Sequence, residues 1–185
     1  VVSIPSVPGL RETGFWTSDD ILDVEQLPAS FIVLGGGAIA LEMAHYLEAM
    51  GCGVTLIQRN GQLLTGLDRE CGDVVRAAYE RRGMKVHLGT HLTAVRDHEG
   101  RKRVEFTRDG HTHAIVVDEV LLAMGRQPAT RGLGLDLAGI ASHRQKIVVN
   151  DRMQTSQPHL FAAGDVCSPL DVVHVAIQQG EIAAR

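Results

Sequence analysis

Phe31-Ile32-Val33-Leu34-Gly35-Gly36-Gly37-Ala38-Ile39-Ala40-Leu41-Glu42 decides the fold, because an apolar strand runs straight into a glycine turn that opens a helix. That order is the signature of a dinucleotide phosphate site. The spacing GxGxxA falls on Gly35, Gly37 and Ala40. In this motif the first glycine makes the tight turn, the second lets backbone approach a pyrophosphate, and the small third residue lets helix pack on strand. Gly36, Ala38 and Ile39 complete the turn and the first helical positions, whose free N–H groups face the phosphates.

Downstream, Ile39, Met43, Leu47 and Met50 recur at helical spacing, which predicts that they share an inward face, with Gly51 as the left-handed stop. Val54 to Ile57 is the next strand. A start at Thr65 to Asp68 and a stop at Gly83 bracket a second helix with Val74, Val75, Ala78 and Tyr79 turned inward, and Lys85 to Leu88 resumes as strand. From Leu92 to Val117 the period changes to two, with Gly100 in one turn and Asp109-Gly110 in another, which predicts strands over 92–96, 102–108 and 111–117. This meander replaces a helical crossover before the buried strand Val120 to Ala123. Short strands are expected at Lys146 to Val149 and Leu160 to Ala163. Residues 1–30, rich in Pro and Gly, read as connector rather than core, with a Thr17-Ser18-Asp19-Asp20 cap as their one helical hint.

The pattern predicts an α/β fold: a Rossmann-like domain with a central parallel sheet, helices on one side and the antiparallel meander on the other. Composition agrees, since 44% hydrophobic and 22% charged residues are ordinary for a soluble α/β domain of 185 residues. A net charge of −4 without any Lys/Arg-rich run argues against a nucleic-acid partner. No stretch approaches the length of a membrane span. Cys52, Cys71 and Cys167 are odd in number and widely spaced, so neither a disulfide framework nor a redox pair is expected within the chain, which reads as cytoplasmic. Val1 opens without methionine or signal peptide, and the helical run from Val172 to Arg185 stops without a cap, which reads as a piece of a longer protein.

At the end of the second strand, about twenty residues past the glycines, an NAD site places an acidic residue on the ribose. Here the position holds Gln58. A carboxylate would repel the 2′-phosphate of NADP by about 4 kcal/mol if about 4 Å away at an effective dielectric of about 20. Neutral Gln58 does not, and the neighbouring Arg59 offers that phosphate a cation. NADP is therefore favoured over NAD, although Gln58 also suits a ribose hydroxyl and Arg59 also reads as a solvated surface charge.

Ala123-Met124-Gly125-Arg126-Gln127-Pro128 and Thr155-Ser156-Gln157-Pro158-His159-Leu160-Phe161-Ala162-Ala163-Gly164-Asp165 extend the pattern. With the glycine turn they resemble, in order and spacing, the motifs of the FAD-dependent pyridine nucleotide-disulfide oxidoreductases. Among members, the run from Val149 to Ala176 is most similar to mercuric reductase and dihydrolipoamide dehydrogenase. The resemblance divides the chain into a connector from a missing FAD domain (1–29), an NAD(P)-binding domain (30–150) and the start of a returning FAD segment (151–185). It implies that Gly164 brings backbone against FAD, that Asp165 accepts a hydrogen bond from a ribityl hydroxyl, and that Val172, Val173 and His174 lie along the flavin. It further implies that Gly125 borders the nicotinamide nucleotide, that Arg126 stands near the cofactor phosphates, and that Glu42 lies near the nicotinamide amide. Val95 matches a position that touches adenine in relatives, and reads equally as a plain strand valine. Many relatives carry an aromatic gate where this chain has Ala38, and neutral Gln58 departs from the lipoamide-dehydrogenase pattern.

Nine histidines raise the question of a metal, but neither His111 with His113 nor His87 with His91 has a cysteine or carboxylate at ligand spacing, so no metal site is expected. No general acid, base or nucleophile stands out. The implied function is to bind NAD(P)H in a flavoprotein oxidoreductase, active as a homodimer in full, that passes hydride to FAD and on to a disulfide or thiol-bound Hg(II). This fragment alone is expected to be inactive. Two alternatives stay open: an NADH oxidase or transhydrogenase lacking a redox disulfide, and a non-enzymatic nucleotide-sensing module.

Overall fold

Strand residues 31–34 are buried on both faces of the sheet, as the continuous apolar run requires of a parallel strand covered on each side. The computed structural model describes all residues from Val1 to Arg185. In chain order its elements are α1 (Leu10–Thr13), α2 (Ser18–Ile21), β1 (Ser30–Leu34), α3 (Ala38–Ala49), β2 (Gly53–Gln58), α4 (Arg69–Arg81), β3 (Lys85–Leu88), β4 (Thr90–His98), β5 (Arg101–Arg108), β6 (His111–Val117), β7 (Glu119–Leu122), β8 (Ser142–His143), β9 (Lys146–Ile147) and α5 (Val173–Ala183). They fall into two units, Val2–Gly125 and Arg126–Arg185, with Val1 belonging to the second. No helix is long and apolar enough to cross a membrane.

In the first unit β3, β2, β1 and β7 form a parallel sheet in that order, and β4, β5 and β6 form the antiparallel meander. The period-two geometry of a strand divides each run between two cores. Phe31 and Val33 pack with Ala40, Ala44 and Leu47 of α3, while Ile32 and Leu34 pack with Val104, Phe106 and Val117 of the meander. The predicted architecture, helices on one side and meander on the other, is what forms. Both meander turns lie where expected, with Asp109 and Gly110 at positive φ as a two-residue hairpin turn demands.

Several expectations are corrected. The buried stripe of α3 is Ala40, Leu41, Ala44 and Leu47, whereas Met50 is 59% exposed. The helix lies close to the sheet at Ala40 and Ala44, with Leu41 and Leu47 buried beside them and Met43 packed against the same core. On α4, Val75 and Tyr79 pack against the core as expected, but Val74 points to solvent at 68% exposure, and Gly72 is the buried residue, a Cβ there falling 2.7 Å from the Leu63 carbonyl oxygen. Residues 1–30 are not mere connector: Leu10 is fully buried in the meander-side core, and Ile21 is buried on the helix side. Trp16 adds a bridge beside β7, exchanging hydrogen bonds with Val120 and Leu122, and its ring meets Phe31 edge-on. The Thr17 capping box forms as expected, Asp20 accepting from the Thr17 N–H and hydroxyl.

The meander is tied to the sheet by charge as well as by packing. Lys102 pairs with Glu119, both side chains largely buried, and Lys102 also donates to the Gly14 carbonyl. His87 on the edge strand β3 has Arg108 Nη1 at 3.3 Å from its Nδ1 and its ring against Phe106, which in turn stacks on His113. Burial, and then the charges of Arg108, His113, Lys85 and Arg76, hold its pKa below the usual 6.5. The folded state thus binds this proton more weakly than the unfolded chain does. The stability tied to a neutral His87 is complete above about pH 6.5 and is lost as pH falls toward the depressed folded value. Urea midpoints at pH 7.5 and 5.0 are expected to fall further in wild type than in His87→Phe, and equal falls would remove His87 as the cause.

The second unit holds the β8–β9 hairpin and α5. Val1 and Gln127 exchange backbone hydrogen bonds, and Ile147 donates to the Val166 carbonyl. Of the strand expected at Lys146 to Val149, Lys146 and Ile147 pair with β8. The expected strand at Leu160 to Ala163 reduces to one bridge, Gln154 with Phe161, flanked by hydrogen bonds from the Thr155 N–H to the Leu160 carbonyl and from the Ala162 N–H to the Met153 carbonyl.

Candidate functional site

The glycine turn sits where the carboxyl ends of β1 and β2 open into a groove, the position at which open α/β sheets take ligands. Gly35 has φ 131°, and a Cβ there would stand 2.3 Å from the Ala123 carbonyl oxygen, so the first glycine lets the turn press against the residue following β7. A Cβ at Gly36 would meet the Gln58 side chain at 2.9 Å. At Gly37 a Cβ would meet nothing within 4 Å. The turn is therefore tight on its sheet side and open in front of α3.

Gly37 caps α3 without any side-chain hydrogen bond, and no acidic residue stands in the first turn. The N–H groups of Ala38, Ile39 and Ala40 begin the helix with its positive end uncompensated. Ala40 is fully buried against the sheet, as the third GxGxxA position requires. Glu42 is exposed, one turn into the helix.

A groove lined by Leu34, Gly35, Gln58, Arg59, His91 and Met124 runs from the turn along the end of β2. Gln58 is braced here: its Oε1 accepts the Arg59 N–H at 3.0 Å, its Nε2 points to Thr65 Oγ1 at 3.5 Å, and its carbonyl accepts from Thr90 at 3.0 Å. Arg59 is exposed beside it. Thus Gly35, Gly36, Gln58 and Arg59 come together as the spacing implied. Val95 does not join them. It is 1% exposed in the core, and its N–H donates to the Pro8 carbonyl. His91 and Leu92 of the same strand line the groove instead. The sequence raised His91 only as a metal candidate and Leu92 only as a strand residue, because their place beside the end of β2 comes from the packing of β4 on β2, where Thr90 donates to the Gln58 carbonyl. Gly125 ends this unit with its carbonyl accepting from Ser3.

Arg126 opens the second unit and is exposed. There Gly164 packs on α5, a Cβ at Gly164 falling 3.4 Å from the Ala176 side chain, and its N–H donates to Gln179 Oε1 at 2.8 Å. Asp165 is exposed next to this turn, and Val172, Val173 and His174 are exposed at the start of α5. Cys167 directs its thiol at the carbonyls of Ala162 and Gly164, and burial pushes its pKa up against the opposing charge of Lys146. It is a protonated, half-buried thiol and not an activated nucleophile.

Comparison with known proteins agrees with this geometry. Residues 2–180 match the family model described as pyridine nucleotide-disulphide oxidoreductase. The chain is 39% identical over 174 residues to a dihydrolipoyl dehydrogenase of Thermus scotoductus, covering 92% of this chain and 38% of that protein. It is 32% identical over 182 residues to a mercuric reductase of Bacillus cereus, covering 98% of this chain and 29% of that one. Among solved structures, the Cu(II) complex of the HOCl-induced flavoprotein disulfide reductase RclA from Escherichia coli superposes with a TM-score of 0.89 at 30% identity, over 97% of this chain and 40% of that one. The chain thus spans well under half the length of these relatives, and it belongs to the pyridine nucleotide-disulphide oxidoreductase family.

Proposed function

We propose that Val2–Gly125 binds a nicotinamide nucleotide, NADPH in preference to NADH, on behalf of a flavoprotein oxidoreductase, and that Gly164, Asp165 and Val172 to His174 contribute part of its FAD site. The observation that carries the reading is the glycine turn: closed to any side chain at Gly35, open at Gly37, and set before a helix end with no carboxylate to compete for it. These residues fit a diphosphate, since backbone N–H groups and the helix dipole supply a site for an anion without a buried counter-charge. Gln58 and Arg59 would hold the adenosine ribose and its 2′ substituent, while Glu42, Gly125 and Arg126 belong to the reading on resemblance alone. Bound beside these residues, the two coenzymes would supply the redox chemistry, a hydride from NADPH for FAD and an electron pair for a disulfide or thiol-held Hg(II). The chain's own share is to bind and orient the donor, which removes entropy from the transfer step.

The resemblance assigns 30–150 to a nucleotide domain and 1–29 and 151–185 to a flavin domain, whereas the compact unit that carries the proposed nucleotide site is Val2–Gly125. The 185-residue chain then binds NADPH, retains little FAD and shows no disulfide or mercuric reductase turnover. Calorimetric titration of NADPH and NADH into wild type and Gln58→Glu tests it. The glutamate is expected to weaken NADPH by tenfold or more, about 1.4 kcal/mol, and to spare NADH, because only the 2′-phosphate meets the new charge. Absence of binding by either nucleotide would end the proposal, and equal discrimination in the two proteins would remove Gln58 from it.

A further inference from the structure

The loop between β2 and α4 is fastened to the glycine turn: the Leu64 N–H donates to the carbonyl of Gly36 at 2.7 Å, with Leu64 itself at φ 51°. This bond places the next residue, Thr65, beside the end of β2. Its hydroxyl oxygen lies 3.1 Å from Asn60 Nδ2 and 3.5 Å from Gln58 Nε2, so one exposed side chain gathers the amides of two residues flanking Arg59. The Gln58 amide cannot turn over in this setting. The Arg59 backbone N–H is a donor only, so the atom it meets must be Oε1, and Nε2 must face outward. One hydrogen of Nε2 points to Thr65 and the other remains for a ligand. A ligand at this end of the groove would meet an N–H donor from Gln58 and the Arg59 guanidinium, while one lone pair of the Gln58 oxygen is held by the Arg59 N–H.

We propose that Thr65 is a positioning residue for nucleotide selectivity, its hydroxyl holding the Gln58 amide so that the end of the groove presents donors to the 2′ substituent. A phosphate offers acceptor oxygens and a negative charge, and charge-assisted hydrogen bonds are about twice as strong as neutral ones. A ribose hydroxyl gains less from the same donors. The inference rests on the nucleotide reading above and adds to it the residue that orients the discriminating amide. The bond from Leu64 to Gly36 explains how a side chain seven residues beyond Gln58 keeps its register with the turn.

Calorimetric titration of NADPH and of NADH into wild type, Thr65→Val and Thr65→Ser tests the assignment. Thr65→Val keeps the shape and removes the hydroxyl. It is expected to lose about fivefold in NADPH affinity, the value of one hydrogen bond, and less than about twofold for NADH. Thr65→Ser restores the oxygen and is expected to match wild type for both. Unchanged NADPH binding in Thr65→Val would overturn the proposal. So would an equal loss for both nucleotides, which would make the hydroxyl a support of the turn or of the fold and not of selectivity. Failure of wild type to bind either nucleotide is a different result and strikes the reading on which the proposal stands.

Discussion

Gly35→Ala is expected to lower stability by about 3 kcal/mol or more and to abolish measurable NADPH binding, the two effects sharing one cause. At φ 131° a side chain is strained whatever the space around it, and here the added carbon would lie 2.3 Å from the Ala123 carbonyl oxygen and 2.9 Å from its carbon. Neither atom is free to move. Ala123 donates its own N–H to Leu34, so relief requires parting β1 from the residue that follows β7. The Gly35 N–H, donated to Ile57 at 3.0 Å, would shift with it and carry the end of β2 out of place. Gly37→Ala is the matched comparison. Its backbone, at φ −86° and ψ −178°, is extended and accepts any residue, and its Cβ meets no atom within 4 Å. It should leave stability within about 0.5 kcal/mol of wild type and, on the proposed reading, still weaken NADPH by about tenfold, because the methyl would occupy the open space in which that reading puts the diphosphate. Urea denaturation and calorimetry on the two variants separate folding from binding. Wild-type stability in Gly35→Ala, or wild-type affinity in Gly37→Ala, would remove the turn from the argument.

Gly9→Ala should unfold the chain about 6–12 °C earlier, corresponding to about 3 kcal/mol in a protein of this size. Gly9 precedes α1 with φ 78°, and a Cβ there would fall 1.9 Å from the Val95 carbonyl oxygen. Val95 belongs to β4, and its N–H donates to Pro8, so the segment and the strand are clasped on both sides of the contact. Separating them would also draw Leu10 out of the core, and losing a buried leucine's packing alone is worth about 2–5 kcal/mol. Thermal unfolding of Gly9→Ala beside Leu10→Ala measures both terms. Loss of less than about 1 kcal/mol in Gly9→Ala would show that the N-terminal segment rides on the meander without supporting it.

These two glycines show why one part of the molecule was legible in the sequence and another was not. Gly35 belongs to a local pattern, strand then turn then helix, that can be read within a dozen positions, although the contact that forbids a side chain there, with Ala123, exists only in the folded sheet. The Asp109-Gly110 hairpin and the Thr17 capping box were legible for the same reason. Gly9 acquires its role from Val95, far along the chain, on a strand that the folded meander sets against it. Residues 1–30 looked like connector because Pro5, Pro8, Gly9, Gly14 and Pro28 interrupt them; Leu10 is buried by its position and not by its pattern. Likewise Val95 read as a candidate ligand contact, while the structure turns His91 and Leu92 to the groove and Val95 to the core.

Sequence by itself determined that this chain builds a parallel sheet with a glycine turn before a helix, that a meander replaces one crossover, and that Gln58 and Arg59 stand at the end of the second strand. Those features follow from periodicity and from short-range backbone chemistry, which act between near neighbours. Tertiary structure alone decided which helix face is buried, that the first thirty residues enter the core, and that Thr65 comes within reach of Gln58 and Asn60. Those depend on contacts between residues brought together only when helices and strands pack, and side-chain size and backbone approach at such contacts leave no periodic trace in the chain.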